Sequence, residues 1–182
     1  MAEDAKKRKG LIIVYTGQGK GKTTAALGTA LRACGHGWKV LMIQFIKGTG
    51  RYGELEAAKR LAPNFEIIRA GKGFYRIMGD RLPEEVHPRA AEAGLALSRD
   101  RISSGQYDLI ILDEINVAVH EGLIPVEEVL ALLDAKPEAL HLILTGRNAH
   151  PQIIERADLV TEMREVKHPY AQGIPAQQGI EY

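Results

Sequence analysis

A glycine-rich loop near the N-terminus carries the residue types that bind phosphate. It covers residues 17–24 and reads Gly-Gln-Gly-Lys-Gly-Lys-Thr-Thr. Glycine tolerates positive φ, which lets several backbone N–H groups face one anion. Lys22 can place a positive charge on phosphate oxygens, and the Thr23 hydroxyl suits Mg²⁺. The sequence therefore predicts a nucleoside triphosphate site. Its expected ligands are Gly17, Gln18, Gly19, Lys20, Gly21, Lys22, Thr23 and Thr24.

The loop is one residue shorter than the strict phosphate-loop pattern. In that pattern four residues separate the first glycine from Gly-Lys-Thr. Here only residues 18–20 separate Gly17 from Gly21, and Thr16 stands where the glycine is expected. Lys20 adds a further cation. The alternative is an ordinary glycine-rich turn between a strand and a helix, but the glycines followed by Lys-Thr favour phosphate binding.

Two acidic residues follow a second apolar run. Asp113 and Glu114 come directly after Leu-Ile-Ile-Leu at residues 109–112. A carboxylate at the end of such a strand can hold Mg²⁺, directly or through water, opposite the Thr23 hydroxyl. The sequence does not rank the two acids, and an aspartate here can instead cap the next helix. Arg147 is either a further triphosphate ligand or a surface arginine.

Six β-rich runs alternate with helical stretches and must position these residues. Several runs are almost continuously apolar, as expected of parallel strands covered on both faces. The pattern predicts a doubly wound α/β fold with a mainly parallel sheet, flanking helices and right-handed crossovers. Ligands of such sheets bind beyond the carboxyl ends of the strands, where all the candidate residues fall. The predicted strands are residues 11–16, 40–46, 65–68, 108–113, 140–145 and 158–163.

Helix signals lie between the runs. Gly35 and Gly37 are expected to end the helix that follows the loop, with Cys34 buried inside it. Pro125 and Pro151 are expected in the first turns of two later helices. The apolar positions expected on these two helices are Val126, Val129, Leu130, Leu133, Ile153 and Ile154.

Length, charge and cysteine content limit the class of protein. The 182 residues suit one domain, predicted over residues 10–182 behind a flexible basic tail at residues 1–9. A net charge of +1 gives no bias towards nucleic acid or a membrane surface. The one cysteine excludes an intrachain disulfide, and the six histidines show no metal-site spacing. We therefore expect a cytoplasmic protein without nucleic-acid or membrane partners.

Residues 71–83 interrupt the α/β alternation. Phe74, Tyr75 and Arg76 lie between glycines, as in a lid or wall for a large flat ligand, or in a loop that packs Phe74 on the core. The tail at residues 166–182 has no period and is expected to fold over the domain without an element of its own. These residues predict a Mg²⁺–triphosphate site beside a second pocket. Hydrolysis, phosphoryl transfer and substitution elsewhere on the nucleotide all stay open.

Taken in order, these segments resemble the P-loop type ATP:corrinoid adenosyltransferases over nearly the whole chain. The shortened loop is itself part of that family's pattern, and the family implies a RecA-like, P-loop NTPase-like fold. Each segment alone is weak evidence for the family, whereas all of them in this order are specific to it. The matching segments are residues 15–26, 35–37, 44–48, 73–74, 112–114, 145–147, 150, 166–168 and 179–182.

The resemblance implies a reaction at carbon 5′ of ATP. In this family a reduced Co(I) corrinoid attacks that carbon and the whole triphosphate leaves, lying in the loop in reversed orientation relative to ordinary NTPases. Residues 17–23 with Mg²⁺ would then stabilise leaving-group charge. Lys22, Thr23 and Glu114 are the implied catalytic residues, and the implied metal-side residues are Thr23, Asp113 and Glu114.

The resemblance also implies a corrinoid site, a reductase that donates the electron, and a homodimer. Family aromatics displace the lower ligand of the corrinoid, and Phe74 matches the first of them. The second, a tryptophan, is Arg76 here. This departure assigns the displacement to Phe74 with Tyr75, or indicates a preference for incomplete corrinoids without a lower base.

Two other functions compete with adenosyl transfer. One is a P-loop kinase or NTPase that cleaves the β–γ phosphate bond, and the other is a non-enzymatic, ATP-gated corrinoid carrier. The nucleotide products distinguish the three: tripolyphosphate, ADP with phosphate or a phosphorylated acceptor, or no product.

Overall fold

The fold is a six-stranded parallel sheet with helices on both faces. The computed structural model describes residues 9–47, 50–73, 83 and 86–182. The strands are β1 (Ile12–Thr16), β2 (Val40–Gln44), β3 (Phe65–Arg69), β4 (Leu109–Asp113), β5 (His141–Thr145) and β6 (Leu159–Glu162). Their order in the sheet is β3-β2-β4-β5-β1-β6, and every neighbouring pair is parallel. The helices are α1 (Lys22–Gly35), α2 (Gly53–Arg60), α3 (Val86–Ser103), α4 (Ile115–His120), α5 (Val126–Asp134) and α6 (Pro151–Arg156).

Helices cover both faces of the central strands, and successive side chains of each strand point to opposite faces. The edge strand β6 is exposed. Leu41 and Ile43 of β2 pack into a core layer with α3, α4, α5 and α6, while Met42 packs into the opposite layer with α1 and α2. In α1 the small residues Ala26 and Ala30 are completely buried. This stripe of alanines lets α1 lie close to the sheet, directly after the glycine-rich loop. The doubly wound α/β prediction is confirmed.

The six predicted strands coincide with the six observed strands, and their ends differ by two residues or fewer. The largest difference is at β2, which was expected to reach residue 46 and ends at Gln44. The chain stays bonded to β4 there, since the N–H of Phe45 donates to the Asp113 carbonyl. The helix α1 ends at Gly35, with Gly37 at φ +75° beyond it, as the glycines predict.

Three local expectations need correction: the position of Pro125, the burial of Cys34 and the form of the tail. Pro125 precedes α5 as its N-cap, because the helix begins at Val126. Cys34 is half-buried, with its thiol 3.6 Å from the Asn64 carbonyl. The tail forms one 3₁₀ turn, Pro169–Gln172, through local capping by His168.

The helices of the described part of the chain are all too short or too polar to cross a membrane.

Candidate functional site

The glycine-rich loop connects β1 to α1 at the carboxyl edge of the sheet. Gly17 has φ +95° and Gly21 has φ +110°, a region that residues with a side chain rarely adopt. Gly21 is the N-cap of α1, and Lys22 and Thr23 form its first turn. The positive end of the helix dipole therefore faces the space enclosed by the loop.

Lys22 lies folded over its own loop. Its Nζ donates to the Gly19 carbonyl at 2.6 Å, and the residue is 7% exposed. Burial lowers the pKa of Lys22, the Glu114 carboxylate opposes this shift, and the nearby Arg147 and Lys20 cations add to it. An anion in the loop would favour the charged form of Lys22 and compete with the Gly19 carbonyl for it.

The chain beyond β6 runs alongside the loop and explains two of its glycines. The Met163 N–H donates to the Thr16 carbonyl at 2.8 Å, and the Gly19 N–H donates to the Met163 carbonyl at 2.7 Å. A Cβ on Gly17 would lie 2.5 Å from the Met163 oxygen, and one on Gly19 would lie 2.7 Å from the Arg164 carbonyl carbon. These distances leave no room for a side chain. The sequence pattern explains these glycines by phosphate binding alone and carries no signal for this packing.

Thr16, at the position of the expected first glycine, has a structural task. Its Oγ1 accepts from the Ala149 N–H at 3.1 Å, which ties β1 to the segment after β5. Gln18 makes a second connection, because its Nε2 donates to Asn148 Oδ1 at 2.9 Å. Where the strict pattern has a flexible glycine, this chain therefore has a threonine whose hydroxyl connects the end of β1 to the segment after β5.

Asp113 is the centre of a buried polar cluster at the ends of β4, β5 and α1. It is completely buried, and its Oδ1 accepts from Thr23 Oγ1 and from Thr145 Oγ1, each at 2.8 Å. Asp113 does not cap the following helix, since α4 begins without a side-chain cap. The three elements are joined at one oxygen atom, which fixes the first turn of α1 relative to β4 and β5.

The other oxygen of Asp113 faces residues that follow β2. Gln44 Nε2 lies 3.3 Å from Asp113 Oδ2, and Lys47 Nζ lies 3.7 Å from it. Lys47 Nζ is also paired with Glu54 Oε1 at 2.7 Å and lies 4.9 Å from the centre of the Tyr52 ring. In the sequence, residues 44–48 stand out only as a segment that resembles the family, and neither Lys47 nor Glu54 is singled out. Their signal is position alone: Lys47 follows a buried strand end, and Glu54 lies in the first turn of α2.

The Lys47–Glu54 pair is held in its charged form. Burial lowers the pKa of Lys47, but the Asp113 and Glu54 carboxylates outweigh burial and keep the pKa above its usual value. Burial raises the pKa of Glu54, and the hydrogen bond and charge of Lys47 more than reverse this, so the pKa lies below its usual value. Both sides of Asp113 are therefore occupied by donors from the protein.

Glu114 differs from its neighbour. It has φ +63°, which is unusual for a residue with a side chain, and its N–H donates to Thr145 Oγ1 at 2.9 Å. Burial raises the pKa of Glu114, and the adjacent Asp113 carboxylate raises it further. Within the described ranges no hydrogen bond or ion pair engages the Glu114 carboxylate. It is the acid of this site with oxygens free for a ligand.

The remaining predicted ligands lie at different depths. Arg147 is exposed and follows Gly146, whose φ of +127° sets the turn after β5. Its charge acts on both Lys22 and Glu114, which places the guanidinium beside the loop and the acidic pair. Thr24 is exposed on α1. Phe74, Tyr75 and Arg76 lie outside the described residues.

The donor set of the site fits Mg²⁺ better than a transition metal. Across the part of the chain that the structure describes, no group of three or more histidine, cysteine or acidic residues could hold a metal ion. Mg²⁺ instead binds through one or two carboxylates, waters and substrate phosphates. Thr23 Oγ1 gives its proton to Asp113, so its lone pairs are free, and the Glu114 carboxylate is unpaired. These two residues match that requirement.

Comparison with known proteins decides the family. Residues 8–182 match the family model described as ATP:corrinoid adenosyltransferase BtuR/CobO/CobP. The chain belongs to this family. It is 44% identical over 177 residues to a corrinoid adenosyltransferase of Sinorhizobium sp., covering 96% of this chain and 81% of that relative. It is 39% identical over 178 residues to the corrinoid adenosyltransferase of Escherichia coli K12, covering 98% of this chain and 88% of that relative.

Membership gives the general activity of the chain. The chain is an ATP-dependent enzyme that adenosylates corrinoids, with a P-loop-like nucleotide-binding fold. Among solved structures, the RadB recombinase matches with a TM-score of 0.55 at 14% identity, covering 89% of this chain and 78% of RadB. At that identity the likeness shows the fold alone, and it confirms the RecA-like prediction.

Proposed function

We propose that the chain transfers the 5′-deoxyadenosyl group of ATP to the Co(I) centre of a reduced corrinoid and releases tripolyphosphate. The cobalt electron pair forms the Co–C5′ bond while the C5′–O bond breaks, and the bonding electrons leave with the triphosphate oxygen. The corrinoid supplies the nucleophile, so no side chain need act as one. The observation that carries the proposal is the meeting of the phosphate loop with the Asp113 cluster, in a chain of this family.

The protein's main contribution is to stabilise the charge of the leaving group. Lys22 lies buried within the loop, beside the positive end of α1. A fixed cation in a site of low exposure interacts strongly with developing negative charge, and removing one such donor costs about 2.7–4 kcal/mol of transition-state stabilisation. Lys20 and Arg147, which are exposed at the rim of the loop, are expected to contact the outer phosphate oxygens.

Asp113 and Glu114 have different roles in this proposal. Asp113 accepts from Thr23 and Thr145 and therefore positions the Thr23 hydroxyl. Glu114, with free oxygens, is the carboxylate that would hold Mg²⁺ opposite Thr23, directly or through water. Bound Mg²⁺ would supply positive charge that offsets the charge of the triphosphate. This division favours Glu114 over Asp113, which the sequence could not do.

The corrinoid would lie against Phe74, Tyr75 and Arg76, as the family resemblance implies. The names of the relatives support a corrinoid as the acceptor. A reductase that keeps cobalt as Co(I), a homodimer and a cytoplasmic location complete the proposal. The lone cysteine is compatible with a reducing compartment.

The decisive experiment is anaerobic. The protein is mixed with MgATP and a chemically reduced corrinoid, the corrinoid absorbance is followed, and the phosphate products are separated by chromatography. We expect adenosylated corrinoid and tripolyphosphate in equal amounts. ADP with phosphate would show cleavage at the β–γ bond, and unchanged ATP with a bound corrinoid would show a carrier.

A Phe74→Ala variant tests the corrinoid side separately. It should keep MgATP affinity and lose activity with complete corrinoids that carry a lower base. Unchanged turnover would remove Phe74 from the corrinoid site. An incomplete corrinoid serves as the matched substrate, because no lower ligand has to be displaced from it.

A further inference from the structure

The C-terminal residues lie against the phosphate loop. Glu181 Oε1 is 3.2 Å from Lys20 Nζ, and the Glu181 side chain is only 11% exposed, whereas that of Lys20 is half exposed. Glu181 is held in place by its own turn: Oε2 accepts from the Gln177 N–H, and the Glu181 N–H donates to the Gln177 carbonyl at 2.9 Å. A carboxylate is thus fixed on a cation of the loop.

A second acidic residue of the same segment adds negative charge near the loop. The charge of Glu165 acts on Lys22 and opposes the lowering of its pKa by burial. Glu165 is exposed, whereas the Glu181 carboxylate is shielded and directly paired. Both Lys20 and Lys22 therefore interact electrostatically with acidic residues of this segment. Among the described residues, only the Glu181–Lys20 interaction is at ion-pair distance.

The Lys20 ammonium group cannot bind the Glu181 carboxylate and a triphosphate equally well at the same time. An ammonium group forms its strongest bonds with ionised oxygens at short distance, and a triphosphate in the loop brings several such oxygens. The hydrogen bond from Gln177 and the charge of Lys20 hold the pKa of Glu181 below its usual value, so the carboxylate is ionised at neutral pH. It is therefore an anion of the protein itself at the phosphate site.

We propose that Glu181 is an intramolecular competitor for the phosphate groups. Its carboxylate holds Lys20 in the empty loop, gives Lys20 up when triphosphate binds, and takes it back when the product leaves. Glu181 thereby lowers the affinity of the loop for tripolyphosphate and promotes its release. The role in product release rests on the proposed function, while the competition for Lys20 does not.

The test is the affinity of the full chain for inorganic tripolyphosphate and for MgATP, measured by titration calorimetry. Glu181→Gln keeps the shape of the side chain and the bond to Gln177 and removes the charge. We expect it to bind both ligands more tightly, by about two- to fivefold, as for the loss of one partly exposed ion pair. Lys20→Met should bind more weakly, and Glu181→Gln should have no further effect in that background. Glu127→Gln, on the exposed start of α5, is the control for net charge.

Two results would overturn the inference. One is unchanged or weaker binding in Glu181→Gln, which would make Glu181 a positioning residue for Lys20. The other is an equal gain with and without Lys20, which would indicate general repulsion. Thermal unfolding of each variant checks that the fold is kept. Wild-type products analysed in the same samples test the proposed function independently: tripolyphosphate formation without tighter binding by Glu181→Gln would overturn the competition alone.

Discussion

The two halves of the site are built differently. In the phosphate loop, the groups that should meet the nucleotide are engaged by the protein: Lys22 bonds the Gly19 carbonyl, and Lys20 pairs with Glu181. In the acidic half, Thr23 and Thr145 already meet at Asp113. Under the proposed function, nucleotide binding would exchange contacts in the first half and use existing contacts in the second. The first half would then set the affinity for phosphate, and the second would set the geometry.

Asp113→Ala should give the largest loss of stability, because Asp113 is the centre of the acidic half, whose contacts are already made without nucleotide. Thr23, Thr145 and Lys47 would each lose a buried partner. Removing one member of a buried charged group costs about 3–5 kcal/mol, and we expect the free energy of unfolding to fall by the lower part of that range. Urea denaturation measures it, and adenosylation should be lost. Glu155→Ala, which removes an exposed carboxylate of α6, is the control. A urea midpoint equal to that of wild type would contradict the structural role of Asp113 in the acidic half.

Lys22→Ala separates function from stability in the other half. Transition-state stabilisation should fall by about 2.7–4 kcal/mol, since a buried cation at the leaving group is lost. The free energy of unfolding should change little, because burial already disfavours the charge of Lys22. kcat and KM for ATP, with denaturation of the same sample, give both quantities. Lys39→Ala, exposed before β2, should match wild type, and equal rates in both variants would remove Lys22 from the mechanism.

Gly19→Ala tests the packing of the loop against the chain after β6. The new Cβ would lie 2.7 Å from the Arg164 carbonyl carbon, so the backbone must shift. We expect a loss of about 1–3 kcal/mol in the free energy of unfolding, together with weaker ATP binding. Gly28→Ala is the matched control in α1, where a Cβ meets no atom within 4 Å. That control should be neutral or more stable by up to about 1 kcal/mol. If both variants behave alike, the close approach has no energetic weight.

Glu114→Gln should give a small change in the free energy of unfolding, with a defined pH dependence. Burial and Asp113 raise the pKa of Glu114 in the folded state, so the folded chain binds this proton more tightly than the unfolded chain. The resulting stability is fully present below the unfolded pKa and is lost as the pH rises through the folded pKa. In metal-free buffer the variant should lack this pH-dependent loss and should be more stable than wild type at neutral pH. The dependence of its adenosylation rate on Mg²⁺ should also be weaker. Parallel pH profiles for the two proteins would contradict the raised pKa.

The sequence predicted the sheet because its signals are local. Continuous apolar runs such as residues 40–43 and 109–112 identify buried parallel strands without any knowledge of their neighbours. The motifs at the ends of β1 and β4 placed Thr23 beside Asp113, since carboxyl ends of parallel strands share one edge. Lys47 and Glu54 were missed because their importance depends on how α2 packs, which has no local signature. The same is true of Met163, whose carbonyl contact with Gly19 involves no side chain.

The position of β6 has a consequence for the order of events during synthesis. The loop belongs to the first strand of the sheet, but its neighbour on one side is the last strand, and its backbone bond partner is Met163. A nascent chain that ends before residue 159 has the glycines, the lysines and the acidic pair, yet its loop lacks the wall against which Gly17 and Gly19 pack. Synthesis therefore has to continue past Arg164 before the loop has the complete surface against which it packs.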